Sequence, residues 1–326
     1  MSHIKNIEIK NFKSIRHATI EDCRRVNVFI GYPNVGKSNI LEALSVLQFA
    51  KQTYVIDLHH LCRHDSKSEI FFEGNIREDA IIAYNNFELV QIHYESEISG
   101  PSISTQREFN KEQKLWSHVS YPEINVLKYQ FILNSSNQNV VTHKHLQSPY
   151  GENLFSVVAT NLELRKFFNE LLKNYGLRLI VDRIKNSLLL QKEVTEDSVF
   201  QLSYVQIADT LQRLFFYKAA ILTNENSVLL FEEPEAHMYP PYISKFTGDV
   251  MYDENNNQFF ITTHSPFVLN DFMEQLKPED LAIYLVSYKN ETGETIINKM
   301  SDEDMHEAAQ FGYDFFLNLD NFIPKS

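Results

Sequence analysis

The sequence predicts an α/β protein with a mostly parallel central sheet flanked by helices. In the second half of the chain, short apolar segments typical of buried strands alternate with amphipathic segments of helical spacing. This alternation favours parallel strands that are covered by helices on both faces. Nearer the N-terminus, an apolar run at residues 26–30 ends at Gly31 and is followed by a segment of helical spacing. The resulting order of strand, glycine loop and helix fits the same class of fold.

Residues 1–95 are predicted to form the N-terminal part of the core. Residues 4–10 alternate charged and apolar side chains, as a half-buried strand does. Residues 38–49 have apolar side chains at helical spacing, which predicts an amphipathic helix directly after the glycine loop.

Residues 96–200 are predicted to form an insertion and a helical lobe. Residues 96–114 and 134–153 are rich in Ser, Asn, Gln, Pro and charged side chains, which predicts loops. Residues 154–175 have the pattern of one long amphipathic helix, and residues 177–194 that of a hairpin.

Residues 201–326 are predicted to complete the core. A second long helix is expected at residues 205–222. The segments that follow alternate in type: strands are predicted at 227–231, 258–262, 281–288 and 295–299, and helices at 242–251 and 266–273.

Composition excludes several classes of function. The 326 residues carry a formal net charge of −13, which disfavours non-specific binding of nucleic acid through displaced counterions. Two cysteines are too few for a disulfide scaffold and fit a reducing compartment. The opening residues alternate charged and apolar side chains instead of forming a secretory signal, and no apolar run approaches the roughly 20 residues that span a bilayer. We therefore expect a cytoplasmic protein without a membrane partner.

The glycine loop has the spacing of a phosphate-binding loop, in which Gly, four residues and Gly precede Lys and Ser. Glycines let the backbone turn its amide groups toward phosphate oxygens, and the helix that follows adds the positive end of its dipole. The lysine of this motif reaches the outer phosphates, and its serine hydroxyl ligates magnesium. The candidate phosphate-binding residues are Gly31, Asn34, Val35, Gly36, Lys37 and Ser38.

Two strand ends downstream carry polar residues of the types that phosphoryl transfer needs. The apolar strand at 227–231 ends in Glu232 and Glu233. Carboxylates at these positions suit the holding of magnesium by Glu232 and the polarising of an attacking water by Glu233. The strand at 258–262 leads to His264, whose imidazole is placed to contact the terminal phosphate or that water.

Four sequence blocks together resemble the ABC-type ATPases of the RecF, SMC and OLD (overcoming lysogenization defect) group. The resemblance is closest to the stand-alone bacterial ATPases of this group, many of which accompany toxin–antitoxin or phage-defence modules. It implies an ABC-like ATPase head with an antiparallel N-terminal part and a helical lobe. The blocks are Asn11-Phe12-Lys13-Ser14, Gly36-Lys37-Ser38-Asn39 with Glu42-Ala43-Leu44, Glu232-Glu233-Pro234-Glu235-Ala236-His237 and Thr263-His264-Ser265-Pro266.

The resemblance also implies a mechanism. In this group two heads pack face to face around ATP and Mg²⁺, so that each nucleotide meets the phosphate loop of one subunit and a signature segment of the other. Asn39 joins the nucleotide-binding residues on this basis. The signature is degenerate here, because its position falls on Ala208-Asp209-Thr210-Leu211-Gln212-Arg213. The contact in trans is then left to Thr210, a backbone amide or Asp209, and Ser203 is an alternative position for the signature serine. Slow ATP hydrolysis is expected.

Two departures from the group limit the expected activity. Glu232 stands where the group usually has Asp, so the charge is kept on a longer side chain. The segment after His264 is too short for the nuclease domain of OLD proteins, so we expect no nuclease activity.

From the resemblance as a whole we expect an ATP-dependent homodimer or higher oligomer that controls an effector protein. A RecF-like DNA-binding repair ATPase and an ATP-dependent scaffold with little turnover are the alternatives.

Two further clusters favour structural roles. The His59-His60-Leu61-Cys62-Arg63-His64 segment has metal-ligand residue types without the paired spacing of a zinc site. The basic side chains near the N-terminus suit a solvated surface better than a DNA contact; they are Lys10, Lys13, Arg16, Arg24 and Arg25.

Overall fold

The computed structural model describes residues 3–48, 58–85, 88–96, 100–106, 109–110, 115–116, 124–133, 143–289, 291–311 and 315–322. By its internal contacts the chain divides into two compact units. The first, which we term the core unit, comprises Met1–Lys128, Asn226–Glu233 and Gln258–Ser326. The second, the helical unit, comprises Tyr129–Glu225 and Pro234–Asn257. The division into 1–95, 96–200 and 201–326 stays a prediction of the sequence.

The described strands and helices are, in chain order, β1 (Ile7–Phe12), β2 (Ile15–Ile20), β3 (Val26–Gly31), α1 (Lys37–Val46), β4 (Ala80–Tyr84), β5 (Glu88–Ser96), β6 (Gly100–Gln106), β7 (Phe109–Asn110), β8 (Leu115–Trp116), β9 (Asn125–Tyr129), α2 (Leu154–Thr160), α3 (Leu162–Lys173), β10 (Arg178–Asp182), β11 (Ser187–Thr195), β12 (Ser198–Ser203), α4 (Asp209–Thr223), β13 (Ser227–Glu232), α5 (Pro240–Met251), β14 (Gln258–Thr262), α6 (Pro266–Gln275), β15 (Leu281–Lys289), β16 (Glu294–Lys299), α7 (Asp302–Phe311) and α8 (Leu319–Phe322).

A six-stranded sheet in the order β16-β15-β3-β14-β13-β9 forms the centre of the core unit. Strands β15, β3, β14 and β13 are parallel to their neighbours in this series, whereas β16 is antiparallel to β15. Every residue of β3 and β14 is buried, as expected for strands covered on both faces. The predicted α/β class and its mostly parallel sheet are therefore confirmed.

The apolar side chains of these strands and of α1 make the core that supports the site. Phe29 on β3 stacks on Tyr284 of β15 with ring centroids 5.1 Å apart. Ile40, Leu41 and Leu44 of α1 are buried, as the helical spacing predicts. Burial of each such side chain contributes about 1.5–3 kcal/mol, so the strand before the glycine loop and the helix after it are both firmly held.

An antiparallel sheet in the order β2-β1-β4-β5-β6 forms the second layer of strands in the core unit. Ile9 of β1 lies opposite Ala18 of β2 and opposite Ile82 of β4. The prediction of a loop at residues 96–114 was wrong, because this segment contains β6 and β7. Backbone pairing of β6 with β5 over seven residue pairs outweighs a polar composition that is typical of loops.

The helical unit contains α2, α3, α4, α5 and a three-stranded sheet in the order β10-β11-β12. Its core includes Phe168 of α3, stacked on Phe215 of α4 with ring centroids 3.9 Å apart. The Tyr129 hydroxyl donates to the Leu146 carbonyl at 2.6 Å and accepts from the Asn224 amide at 2.8 Å, so this buried polar group is satisfied.

Two helix predictions in this unit need correction. The single helix at 154–175 is instead α2 and α3, separated at Asn161. The Asn161 side chain accepts from the Leu164 amide, and this N-cap ends one helix and begins the next. The helix predicted at 205–222 begins only at Asp209, because Ser203 and Gln206 form a capping box around a short 3₁₀ turn.

The remaining predictions on described residues agree with the structure to within a few residues. The hairpin at 177–194 corresponds to β10 and β11, to which the structure adds β12. The predicted strands and helices from residue 227 to residue 299 correspond to β13, α5, β14, α6, β15 and β16. Of the loop predicted at 134–153, residues 134–142 lie outside the described residues, and residues 143–153 contain neither a strand nor a helix, as predicted. In the described part of the chain, none of the helices combines the length and apolarity required to cross a bilayer.

Candidate functional site

The loop between β3 and α1 has the backbone of a phosphate cradle. Gly36 has φ +100° and Asn34 has φ +64°, so two positions curl into the left-handed region. A Cβ on Gly36 would lie 2.1 Å from Thr295 Oγ1 and 2.6 Å from Ser14 Oγ. Glycine is thus required at position 36 for both backbone conformation and space.

Three polar side chains clamp this loop from outside. The Thr295 hydroxyl of β16 donates to the Val35 carbonyl at 2.9 Å and lies 2.7 Å from the Ser14 hydroxyl. The Asn39 amide of α1 donates to the same Ser14 oxygen at 2.6 Å. We term Ser14, Asn39 and Thr295 the loop clamp. It holds the loop in its geometry because its hydrogen bonds connect the loop, the turn between β1 and β2, helix α1 and strand β16.

The Lys37 ammonium lies against its own loop. It donates to the Gly31 carbonyl at 3.0 Å and to the Tyr32 carbonyl at 2.8 Å. Burial lowers the pKa of Lys37 to about 8, although the nearby Glu233 carboxylate acts in the opposite direction. This ammonium is therefore partly desolvated and gains stability when an anion approaches.

Glu232, the last residue of β13, is surrounded by cationic and hydroxyl groups. Its carboxylate lies 2.9 Å from Arg63 Nη2 and 3.7 Å from Lys128 Nζ. Burial raises the pKa of Glu232, but Lys128, a hydrogen bond with the Ser38 hydroxyl and Arg63 together hold it below its ordinary value. The carboxylate is therefore ionised at neutral pH.

A second carboxylate shares the same arginine. Glu42 of α1 is fully buried and accepts from Arg63 Nε at 2.9 Å. Its other oxygen forms an ion pair with Lys13 from the turn between β1 and β2. The Arg63 guanidinium thus joins Glu42 to Glu232, and each carboxylate has a second cationic partner, Lys13 for Glu42 and Lys128 for Glu232.

Glu233 and His264 lie together at the ends of β13 and β14. The Glu233 amide donates to the Thr262 carbonyl at 3.0 Å, and its φ of +42° turns the chain away from the strand. His264 Nε2 lies 3.5 Å from Glu233 Oε1. Burial and the Lys37 charge lower the pKa of His264 while Glu233 opposes them, so the imidazole is neutral at pH 7.

Most of the predicted site residues line one cavity of about 810 Å³ in the core unit. The Gly31 carbonyl accepts a hydrogen bond from Lys37 of this lining, and Glu232 at the end of β13 is hydrogen-bonded to Ser38. The lining residues are Ser14, Pro33, Asn34, Val35, Gly36, Lys37, Ser38, Asn39, Arg63, Glu233, His264 and Tyr288.

The predicted signature residues belong to the helical unit. Asp209 begins α4 and forms an ion pair with Arg213 at 3.1 Å. The Thr210 hydroxyl donates to the His237 carbonyl at 2.8 Å. Ser203, the alternative, caps the preceding 3₁₀ turn. Both predicted residues thus have partners within their own unit.

The chemistry of Ser38 and Glu232 fits a magnesium ion. Mg²⁺ prefers oxygen ligands, and here a hydroxyl and an ionised carboxylate are hydrogen-bonded to each other. Ser38 lies in the first turn of α1, directly after the glycine loop, and Glu232 is the last residue of β13, so the two meet at the same edge of the sheet. The longer glutamate side chain therefore reaches the hydroxyl that the motif assigns to the metal.

Sequence reasoning missed Arg63 and Lys128 as neighbours of the carboxylates. Lys128 carried a signal, because it is a charged residue within the apolar segment Val126-Leu127-Lys128-Tyr129. In the segment at 59–64, His59 and His64 stack with ring centroids 3.9 Å apart, and Arg63 is the member that reaches the site. Within the described ranges, no group of three or more metal-ligand side chains converges.

Several of the basic residues near the N-terminus form ion pairs. Lys10 pairs with Glu8, Arg24 with Asp302 at 2.9 Å, and Arg25 with Asp280 at 3.7 Å. Nearby carboxylates therefore offset much of the charge that a DNA phosphate would meet.

The fold and the arrangement around the loop define the chain as a P-loop ATPase of the ABC type, of the RecF and SMC group. The family described as "AAA domain, putative AbiEii toxin, Type IV TA system" (AAA_21) matches residues 26–270. The chain belongs to this family.

Individual relatives are more distant. Protein ea59 of Escherichia phage lambda is 35% identical over 92 residues, 25% of this chain and 18% of that protein. RecF, a DNA replication and repair protein of Caldanaerobacter subterraneus subsp. tengcongensis, is 24% identical over 219 residues, 57% of each chain. An ATP/GTP phosphatase of Helicobacter pylori is 32% identical over 84 residues, 23% of each chain. The chain thus spans between about a fifth and just over half the length of these relatives.

Solved SMC heads share the fold. The SMC head bound to the C-terminal winged-helix domain of ScpA superposes with a TM-score of 0.58 at 17% identity, covering 94% of this chain and all of that one. An SMC head with an extended coiled coil, bound to the C-terminal domain of ScpA from Pyrococcus furiosus, gives 0.56 at 15% identity, covering 95% and 99%. At these identities the likeness establishes the fold alone.

Proposed function

We propose that the protein binds ATP with magnesium and hydrolyses it slowly. The observation that carries this proposal is the single cavity lined by the phosphate loop, Glu233 and His264, with Glu232 held beside Ser38. A cavity of about 810 Å³ is large enough for a nucleotide. The family to which the chain belongs supports the same function.

Phosphate binding rests on the loop amides and Lys37. In our proposal, the Lys37 ammonium leaves the Gly31 and Tyr32 carbonyls and binds the outer phosphates, with which it forms stronger, charge-assisted hydrogen bonds. The positive end of α1 favours the same anion. The loop clamp keeps the amide groups in place, so that little reorganisation is needed on binding.

Ser38 and Glu232 would hold magnesium. When bound, the ion neutralises charge that develops on the phosphate oxygens. Arg63 and Lys128 keep Glu232 ionised before the ion arrives, so its carboxylate is ready to serve as a ligand.

Glu233 is proposed to orient the attacking water and accept its proton. Its carboxylate is partly exposed to the cavity, and the neutral His264 imidazole lies beside it. A neutral imidazole donates one hydrogen bond and accepts another, which suits the positioning of a water between Glu233 and the terminal phosphate.

We also propose that ATP joins two copies of the chain. In this arrangement Asp209 and Thr210 of one copy meet the nucleotide of the other, in place of a signature serine. Both residues must exchange partners to do so, since they contact Arg213 and His237 within their own copy. This exchange is a physical reason for slow turnover. An effector protein in a toxin–antitoxin or phage-defence module is the proposed recipient of the change, in line with the family description.

The second candidate is a DNA-binding ATPase, favoured by the alignment with RecF over 57% of the chain. Its binding of duplex DNA would weaken steeply with salt, because phosphate contacts release counterions. The overall charge of −13 and the ion pairs at Lys10, Arg24 and Arg25 count against it. Titration of fluorescent duplex DNA at two salt concentrations separates the two candidates.

The proposed function is tested with Glu233→Gln and Glu232→Gln, and Glu274→Gln on α6 as an exposed matched control. Glu233→Gln should keep ATP affinity, lose at least about 100-fold in hydrolysis and accumulate as an ATP-bound dimer. Glu232→Gln should lose magnesium-dependent ATP binding, and with it the dimer. The measurements are phosphate release and light scattering after size exclusion, with and without Mg-ATP.

Each outcome bears on one part of the proposal. Wild-type hydrolysis by Glu233→Gln would refute the role of Glu233. A Glu233→Gln protein that stays monomeric at saturating ATP would refute the ATP-dependent dimer. A wild-type protein that fails to bind Mg-ATP would refute the function as a whole.

A further inference from the structure

The order of the central sheet gives the cavity two distinct ends. The phosphate loop follows β3, which lies between β15 and β14. Glu233 and His264 follow β13 and β14, so they lie on one side of the loop. The end of β15 and the start of β16 lie on the other side. A chain of phosphates along the loop therefore has a carboxylate end and an opposite end.

Tyr288 lies at this opposite end. It is on β15 directly opposite Thr295 of β16, and opposed residues of an antiparallel pair project from the same face of the sheet. Thr295 uses that face to reach Val35 and Ser14 of the loop and its clamp. Tyr288 accordingly lines the cavity, and it remains 45% exposed.

We propose that the Tyr288 ring stacks on the base of the bound nucleotide. This inference rests on the proposed function: if the terminal phosphate lies near Glu233 and His264, the base must leave the loop toward β15 and β16. Tyr288 presents a large, exposed aromatic ring in the lining of the cavity, and the face of such a ring suits the flat surface of a base.

The backbone that carries the ring is held in the sheet before any ligand arrives. Tyr288 is within β15, and its pairing with Thr295 ties it to the hydrogen bonds of the loop clamp. A Cβ on Gly293 would lie 3.4 Å from the Tyr288 hydroxyl, so the tip of the ring lies over the turn between β15 and β16. Because the backbone at Tyr288 is already ordered, stacking has only the side chain to order.

The test compares ATP with inorganic tripolyphosphate, which has the phosphates and no base. Isothermal titration calorimetry with magnesium measures both ligands on wild type, Tyr288→Ala and Tyr288→Phe. Tyr252→Ala, an exposed tyrosine of the helical unit, is the matched control. Tyr288→Ala should bind ATP about 5- to 100-fold more weakly and tripolyphosphate as wild type does. Tyr288→Phe and Tyr252→Ala should bind both ligands as wild type does.

Several results would overturn the inference. Unchanged ATP affinity in Tyr288→Ala would exclude stacking. An equal loss for ATP and tripolyphosphate would mean that Tyr288 supports the phosphate loop instead. If the wild type binds both ligands equally, the base makes no contribution and the inference fails while the phosphate site stands. If it binds neither, the proposed function fails as well. Melting curves of all variants verify that they are folded.

Discussion

ATP binding should be accompanied by proton uptake at alkaline pH, and the cause is Lys37. Burial lowers the pKa of this ammonium to about 8 in the free protein. Bound phosphates would replace two carbonyl partners by anionic oxygens and raise that pKa, so that the bound lysine stays protonated. Binding therefore takes up protons wherever the free lysine is partly neutral.

The magnitude follows from the lowered pKa. With a pKa of about 8, Lys37 is about 90% protonated at pH 7 and about a quarter protonated at pH 8.5. Uptake is then about 0.1 proton per site at pH 7 and about 0.8 at pH 8.5. Because protons are taken up, ATP affinity should fall as pH rises, by about tenfold between pH 7 and pH 9.

Calorimetry in buffers of different ionisation enthalpy measures this uptake directly. Glu233→Gln provides an internal check, since Glu233 raises the pKa of Lys37 and its removal should lower it further. Uptake at pH 7.5 should then increase. Lys37→Ala should abolish ATP binding with an intact fold. Uptake near zero at pH 8.5 with ATP bound would refute the reasoning, because it would mean that the ammonium is fully charged in the free protein.

Two further substitutions test the structure around the site, each beside a matched control. Gly36→Ala should weaken ATP binding at least about tenfold in a calorimetric titration, because the φ of +100° at Gly36 and the atoms around it exclude a Cβ. In the control, Gly248→Ala within α5, the added Cβ meets nothing within 4 Å, so this variant should be neutral or slightly stabilising. Phe168→Ala should lower the free energy of unfolding by about 3–5 kcal/mol in urea denaturation, because it removes a fully buried ring stacked on Phe215. In the control, Phe200→Ala removes a half-exposed ring and should change the free energy of unfolding by less than about 0.5 kcal/mol. Equal effects of the two substitutions would contradict the assignment of the core.

The sequence was sufficient for the parts of the site that depend on local pattern. The glycine loop, the strand ends at Glu232 and Glu233 and the strand before His264 each combine a short apolar run with polar residues at fixed spacing. In a parallel sheet the carboxyl ends of neighbouring strands meet at one edge, so these residues were expected to converge. Their roles stay predictions until the variants are measured.

The parts that sequence reasoning missed depend on distant pairs. Arg63 contacts Glu232 across 169 positions of the chain, and Ser14 contacts Thr295 across 281. No local periodicity encodes such a pairing. The break between α2 and α3 was different, because Asn161 is a good N-cap residue and carried a readable signal. Apolar periodicity on both sides of it masked this signal.

The charges around the loop explain how a protein of net charge −13 presents a site suited to a polyanion. Four cations lie near the cavity and its three carboxylates, and two of these carboxylates, Glu42 and Glu232, already form ion pairs with them. The cations are Lys13, Lys37, Arg63 and Lys128, and the third carboxylate is Glu233. At physiological salt the field of these charges acts over a Debye length of about 8 Å, so the cavity attracts anions although the protein as a whole carries a negative charge. This attraction is confined to a concave site and does not extend along a face. It therefore favours a compact phosphate group with its metal over the long backbone of a nucleic acid, and it is the physical reason to test nucleotide binding before DNA binding.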